Sequence, residues 1–255
     1  MVIDIGRRQF VSALGGATFT WPLAARAQPT MPVVGVMSGA AIEPGLTVAA
    51  KAFRKQTGND VKIVFATTPQ MRQRIGAGET ADVLIAPPAL LDELASSGKI
   101  DGTVRTTVGR VGVGVAIRNG APKPDISTTD ALVRALLEAD SVIYNRASSG
   151  LYVEELIRRL GLAERIGAKT KRYDGTEMVD PLVSGTGKEI GFMPVAEILH
   201  FRDRGLQLVG PLPADIQNYT TYAAAPGSKS QAGLDFIRFL GSAAAKEIFV
   251  AAGIE

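Results

Sequence analysis

From residue 32 onward, short apolar runs alternate with longer amphipathic ones. Residues 33–37, 61–65 and 83–86 are runs of four or five rich in Val, Ile and Leu, the pattern of strands buried on both faces. Between the first two, Leu46, Ala49, Ala50 and Phe53 recur at i, i+3, i+4 and i+7. That spacing predicts a helix with one apolar stripe, stopped by Thr57-Gly58-Asn59-Asp60. After Pro87-Pro88, residues 89–99 read as a second helix closing on Ser97-Gly98. A βαβαβα series of this kind predicts a parallel sheet with helices on both faces.

The rhythm then changes. Residues 108–118, "VGRVGVGVAIR", form a longer extended run with interspersed glycines, followed by the turn-rich "NGAPKPD". A second α/β series follows: helix 127–138, strand 141–144, helix 150–160, strand 168–172, helix 176–184 and strand 189–193. Another extended run, 219–225, precedes a long helical stretch over 229–252. Two α/β series joined by two extended segments predict an α/β protein of two lobes, each a mainly parallel sheet flanked by helices, with the chain crossing twice. The expected division is residues 28–109 plus 227–255 for the first lobe and 110–226 for the second.

The first 27 residues break this pattern and read as a leader. "GRRQFV" (6–11) carries an arginine pair, "VSALGGATFTWPLA" is a modestly apolar run, and Ala25-Arg26-Ala27 is a small-x-small cleavage box. In that order they resemble a cleavable twin-arginine export signal, which predicts a periplasmic protein. The apolar run is shorter than the ~20 residues a membrane span needs. Removing this leader, of net charge +2, lowers the formal charge from +3 to +1. That balance, with sparse aromatic residues, excludes a nucleic-acid footprint. With no cysteine and one histidine, His200, disulfides, thiolate chemistry and a multi-histidine metal site are excluded. No cofactor or metal is expected.

Candidate chemistry lies where strands open into helices. "FATTPQMRQR" (65–74) places two hydroxyls and a proline before a segment with two arginines. Thr68 suits a helix N-cap and Pro69 the first helical position. An arginine near the positive end of a helix is mildly unfavourable unless an anion sits in front, and Arg72, one turn in, is better placed than Arg74 to meet one. Ser148 and Ser149 stand at a similar junction, with Arg146 just before them. Thr176 is expected to cap the next helix, and Ser38 with Gly39 follows the first strand. In open α/β sheets, strand-exit helix N-termini offer N–H donors to anions, although each cluster is also what an ordinary N-cap looks like. Catalytic motifs fail on spacing: "SGTGKE" (184–189) lacks a P-loop's first glycine and its hydroxyl, "RASSG" is not G-x-S-x-G, and His200 suits a structural place at a helix end. Carboxylates are dispersed and show no recognisable acid–base pair.

Residues 38–100, "NRASSGLYVEELIRRLGL", "EIGFMPVAEI" and the segment from Gly210 onward together resemble the periplasmic molybdate-type solute-binding proteins of ABC importers. The resemblance spans nearly all of 33–253. It implies a class II periplasmic binding fold whose lobes close on a small anion and whose closed form docks, as a monomer, on a membrane permease. It places the ligand donors on Ser38, on Thr67 or Thr68, near Ser149 and near Glu177–Met178. The family's late tyrosine position is occupied here by Met193-Pro194, without a hydroxyl, which implies an anion class broader than molybdate, small carboxylates included. Two other classes share the scaffold. A dehydratase-like enzyme would need an acid–base pair inside the cleft, and a regulator's effector domain would carry a DNA-binding segment where this chain has an export leader.

Overall fold

The computed structural model describes residues 32–255; the predicted leader and its arginine pair lie outside the described residues. The first series is β1 (Val33–Ser38), α1 (Glu43–Thr57), β2 (Asp60–Phe65), α2 (Thr68–Gly76), β3 (Val83–Ala86) and α3 (Pro88–Ser96). The first long extended run is β4 (Thr106–Arg118). The second series comprises α4 (Thr129–Glu138), β5 (Ser141–Asn145), α5 (Ser148–Arg159), α6 (Ala163–Ile166), β6 (Thr170–Tyr173), α7 (Val179–Val183), β7 (Glu189–Pro194), α8 (Val195–His200) and β8 (Leu206–Pro211). β9 (Tyr219–Pro226), α9 (Gln231–Leu240) and α10 (Ala243–Ala251) complete the chain.

β1 pairs in parallel with β2 and β3, and β5 in parallel with β6 and β7. What joins the two halves is β4. Its first part runs antiparallel to β9, from Thr106 opposite Ala224 to Gly112 opposite Tyr219. Its second part pairs with β7 and β8. β9 in turn pairs with β3. The sheet order is therefore β2-β1-β3-β9-β4-β7-β5-β6, with β8 also on β4. This is a two-lobed α/β fold with both crossings lying side by side, and residues 223–226 of the second crossing hydrogen-bond within the first lobe's sheet.

Each lobe has its own apolar core. In the first, Leu46, Ala49, Ala50 and Phe53 of α1 are buried as their spacing predicts, and Phe53 meets Phe236 of α9 edge-on at 5.0 Å between ring centres. In the second, Leu132, Leu136, Val153 and Leu156 pack on Val115, Val142 and Phe192. At roughly 1.5–3 kcal/mol for each fully buried large apolar side chain, these contacts fix the sheets, and the strand ends that the sheets present are fixed with them.

Several helix boundaries differ from the sequence expectations, three of them for reasons visible in the structure. The N-cap of α2 is Thr67, not Thr68, and Pro69 falls at the second helical position; a Thr67–Gln70 capping box selects this start. The helix expected over 176–184 begins as a 3₁₀ turn, Gly175–Met178, and becomes α-helical only over Val179–Val183. Pro181 lacks an N–H and is tolerated only in a first turn, so Asp174 takes the cap position and Thr176 makes no side-chain cap. The long helix over 229–252 is two, because Ser242 after Gly241 caps a new one by accepting from the Ala245 N–H at 3.3 Å.

Candidate functional site

A cavity of about 280 Å³ opens between the lobes. Residues 39–41 after β1 and 66–69 entering α2 line it from one side, and residues 145–149 with Leu151 of α5 from the other. Pro194 and Glu197 at the start of α8, and Tyr222 from β9, complete the wall. A wider hollow of about 540 Å³ lies between α1, α8 and α10, and its charged side chains, Arg202 and Glu247, are exposed.

Both facing helix starts are built by their own sequences. At α2, Thr67 Oγ1 accepts from the Gln70 N–H at 3.4 Å while Gln70 Oε1 accepts from the Thr67 N–H at 2.8 Å. At α5 the order is different. Asn145, buried at the end of β5, accepts through Oδ1 from the Ala147 N–H at 3.0 Å and from the Ser149 hydroxyl at 3.5 Å. The helix starts there with no side-chain cap, and the Ser148 and Ser149 N–H groups have no acceptor among the described residues. Gly150 is what lets α5 lie so close to β5: a Cβ there would stand 1.7 Å from the Asn145 carbonyl oxygen. Uncapped N–H groups and the helix dipole favour negative charge in front of them.

Of the residues expected at the site, Gly39, Thr67, Thr68, Ser148 and Ser149 line the cavity. Ser38 is fully buried at the end of β1 and donates its hydroxyl to the Gly39 carbonyl at 3.2 Å, outside the lining. Arg72 does not face the cavity. Its guanidinium grips Glu93 of α3, with Nε 2.7 Å from Oε1 and Nη2 2.8 Å from Oε2. Arg74 is likewise paired with Glu79. The two arginines that suggest an anion are thus balanced by carboxylates brought in by the fold. Glu177 is exposed, and Met178 is buried in the second lobe's core beside Met193; neither lines the cavity. Arg146 does, with Nη1 3.2 Å from Asp174 Oδ1.

Glu197 and Tyr222 escape the sequence expectations. Among the described residues Glu197 is the only carboxylate in the lining, and keeps some exposure overall, but its Oε2 is buried and has no hydrogen-bond partner among them. Burial, and behind it the negative charge of Glu43, raises this carboxyl to about 7. The Tyr222 phenol is pushed up to about 12, by burial first and by the charge of Glu197 second. Gly39 makes room for its ring, since a Cβ there would meet Tyr222 Cε1 at 2.4 Å. Of the described carboxylates spread along the chain, only Glu43 comes near enough to Glu197 to act on it. The one sequence signal was an acidic residue, Glu197, soon after the apolar run that ends in Pro194; in a helix's first turn it reads as an ordinary dipole partner.

Two lobes on a shared pair of strands, with helix starts facing across the cleft between them, are the architecture of the solute-binding proteins. The chain belongs to the bacterial extracellular solute-binding proteins, a family that matches residues 34–255, and its fold is that of the periplasmic molybdate-type receptors of ABC transporters. It is 33% identical over 213 residues to an aconitate isomerase from a Pseudomonas species, covering 80% of this chain and 79% of the relative. It is 23% identical over 253 residues to the molybdate-binding protein ModA of Escherichia coli K12, covering 95% and 96%. Among solved structures, the periplasmic molybdate-binding protein of Azotobacter vinelandii superposes with a TM-score of 0.68 at 19% identity, covering 87% of this chain and 98% of that one.

Proposed function

We propose that this protein is an exported receptor that binds a small organic polycarboxylate in the interlobe cleft and presents it to an ABC permease. The carrying observation is the unpartnered Glu197 carboxyl in the cavity wall. A tetrahedral oxyanion needs donors all round it, and Glu197 sets an oxygen in that shell. An organic acid is different. Its carboxylates can take the α2 and α5 starts and Arg146 at its ends, while its carbon skeleton lies against Ala40, Ala41, Pro69 and Leu151, which share the same lining. The relative named for aconitate, an unsaturated tricarboxylate, supports this ligand class.

The energetics suffice. Micromolar affinity corresponds to about 8 kcal/mol, and charge-assisted hydrogen bonds contribute roughly 1.5–3 kcal/mol each before desolvation and closure. Calorimetric titration of the mature protein with cis- and trans-aconitate, citrate, molybdate, tungstate and sulfate tests the proposal. Micromolar binding of the tricarboxylates, with molybdate and sulfate silent, is the expected result; tight molybdate binding with no response to tricarboxylates would overturn it.

A second reading, an enzyme on the same scaffold, is favoured by one specific observation: Glu197 and Tyr222 stand together in the cleft as a candidate acid–base pair. Conversion of one aconitate isomer to the other by catalytic amounts of protein would establish it.

A further inference from the structure

The groups that can hold carboxylates in the cleft are all donors: the α2 and α5 starts and Arg146. Glu197 is an acceptor. Its Oε2 is buried without a hydrogen-bond partner among the described residues, and even Tyr222, whose phenol shares the wall, does not donate to it. The N–H groups of Gly39 and Ala66, also in the lining, are engaged by the Ile85 and Ser38 carbonyls at 3.0 and 2.9 Å. A buried acceptor left unsatisfied is costly. A carboxyl keeps an accepting oxygen whether ionised or protonated, so the partner that suits Glu197 is a donor brought by the ligand.

We propose that Glu197 reads a hydroxyl on the ligand's carbon skeleton, so that the cleft selects hydroxy-polycarboxylates over polycarboxylates lacking that group. This deepens the polycarboxylate reading above and rests on it. The lining divides the ligand into parts. Carboxylates go to the helix starts and Arg146, and the skeleton lies along Ala40, Ala41, Pro69 and Leu151. A hydroxyl on that skeleton then donates to Glu197. No covalent bond forms or breaks.

The surroundings of Glu197 favour a neutral donor. Burial, with Glu43 behind it, holds back its charge near neutral pH. A carboxyl so restrained is a poor counter-ion for an ammonium group but still accepts from a hydroxyl. Tyr222, 5% exposed, fills the space beside Gly39, where a Cβ would stand 2.4 Å from its ring. That ring closes the wall, and the acceptor is met from the cavity side. A site built to bond a ligand hydroxyl rejects the analogue without it far more strongly than an apolar wall does, because the buried group is then left unpaired.

Citrate and propane-1,2,3-tricarboxylate share one skeleton and its carboxylates, and differ by the hydroxyl on the central carbon. Both are fully ionised at about pH 8, where calorimetric titration compares them. Wild type should bind citrate at least about tenfold more tightly. Glu197→Met keeps the side chain's length but removes the acceptor, and should bring the affinity ratio close to one. Glu197→Gln retains an accepting oxygen and should keep most of the preference. Glu197→Ala, measured beside the Met variant, carries the same expectation should that variant fail to fold. Equal wild-type affinities would overturn the hydroxyl assignment and leave the polycarboxylate reading standing. So would a Met or Ala variant that keeps the wild-type ratio, because losing the Glu197 charge alone strengthens both ligands together. Failure of wild type to bind either acid would overturn the polycarboxylate reading and this inference with it.

Discussion

Replacing Glu197 by Gln should stabilise the ligand-free protein, and the gain should depend on pH. The folded-state carboxyl sits near 7 against an ordinary 4.5, so folding takes up a proton between those values. Its stabilising contribution is complete below about pH 4.5 and is lost as pH rises through 7. At about 1.36 kcal/mol per pH unit, the loss is at most about 3 kcal/mol, and water entering the open cleft reduces it. Glutamine mimics the protonated form and loses nothing. The melting-temperature difference between variant and wild type should therefore be near zero at pH 4.5 and grow toward pH 8.5. Roughly 2–4 °C per kcal/mol for a chain of this size sets a ceiling of about 12 °C. Two neighbours enter the same measurement. Removing the Glu43 charge should make the rise smaller and end it at lower pH, because Glu43 disfavours ionised Glu197; Tyr222 stays neutral throughout this range. Scanning calorimetry from pH 4.5 to 8.5 decides. A constant offset between variant and wild type at every pH would refute the reasoning.

Arg72→Ala removes an exposed ion pair, so it should cost under about 1 kcal/mol of stability and leave ligand affinity in calorimetric titration unchanged. Gly150→Ala drives a methyl into the Asn145 carbonyl; a destabilisation of about 1–3 kcal/mol in urea melts should accompany weaker ligand binding, because α5 must shift. Changing Arg7 and Arg8 together to Lys should leave precursor in the cytoplasm in a fractionation assay while the folded domain is unaffected.

The alternation of apolar runs made the strands of both series legible, along with the double crossing, because strands buried on both faces carry their pattern locally. Part of the cavity lining was legible for the same reason: strand-exit hydroxyls at Thr67, Thr68, Ser148 and Ser149 are local features. Arg72 could not be placed from sequence, since Glu93, its partner, arrives on the next helix through the sheet's folding. Glu197 and Tyr222 were hidden for a related cause. One sits in the first turn of a short helix and the other in the middle of β9 in an otherwise alanine-rich run, and it is the pairing of β9 with β3, which lies beside β1, that brings the phenol against Gly39.

The division of donors between the lobes has a consequence for delivery. On the proposed reading, an anion spanning the cleft is chelated, with one grip on α2 and the other on α5, both of which line the cavity. Parting the lobes removes one grip without altering either. If each contributes about half of 8 kcal/mol, the single grip that remains corresponds to a millimolar rather than a micromolar dissociation constant. A partner that merely props the cleft open thereby makes the receptor let go, and needs no competing affinity of its own for the solute.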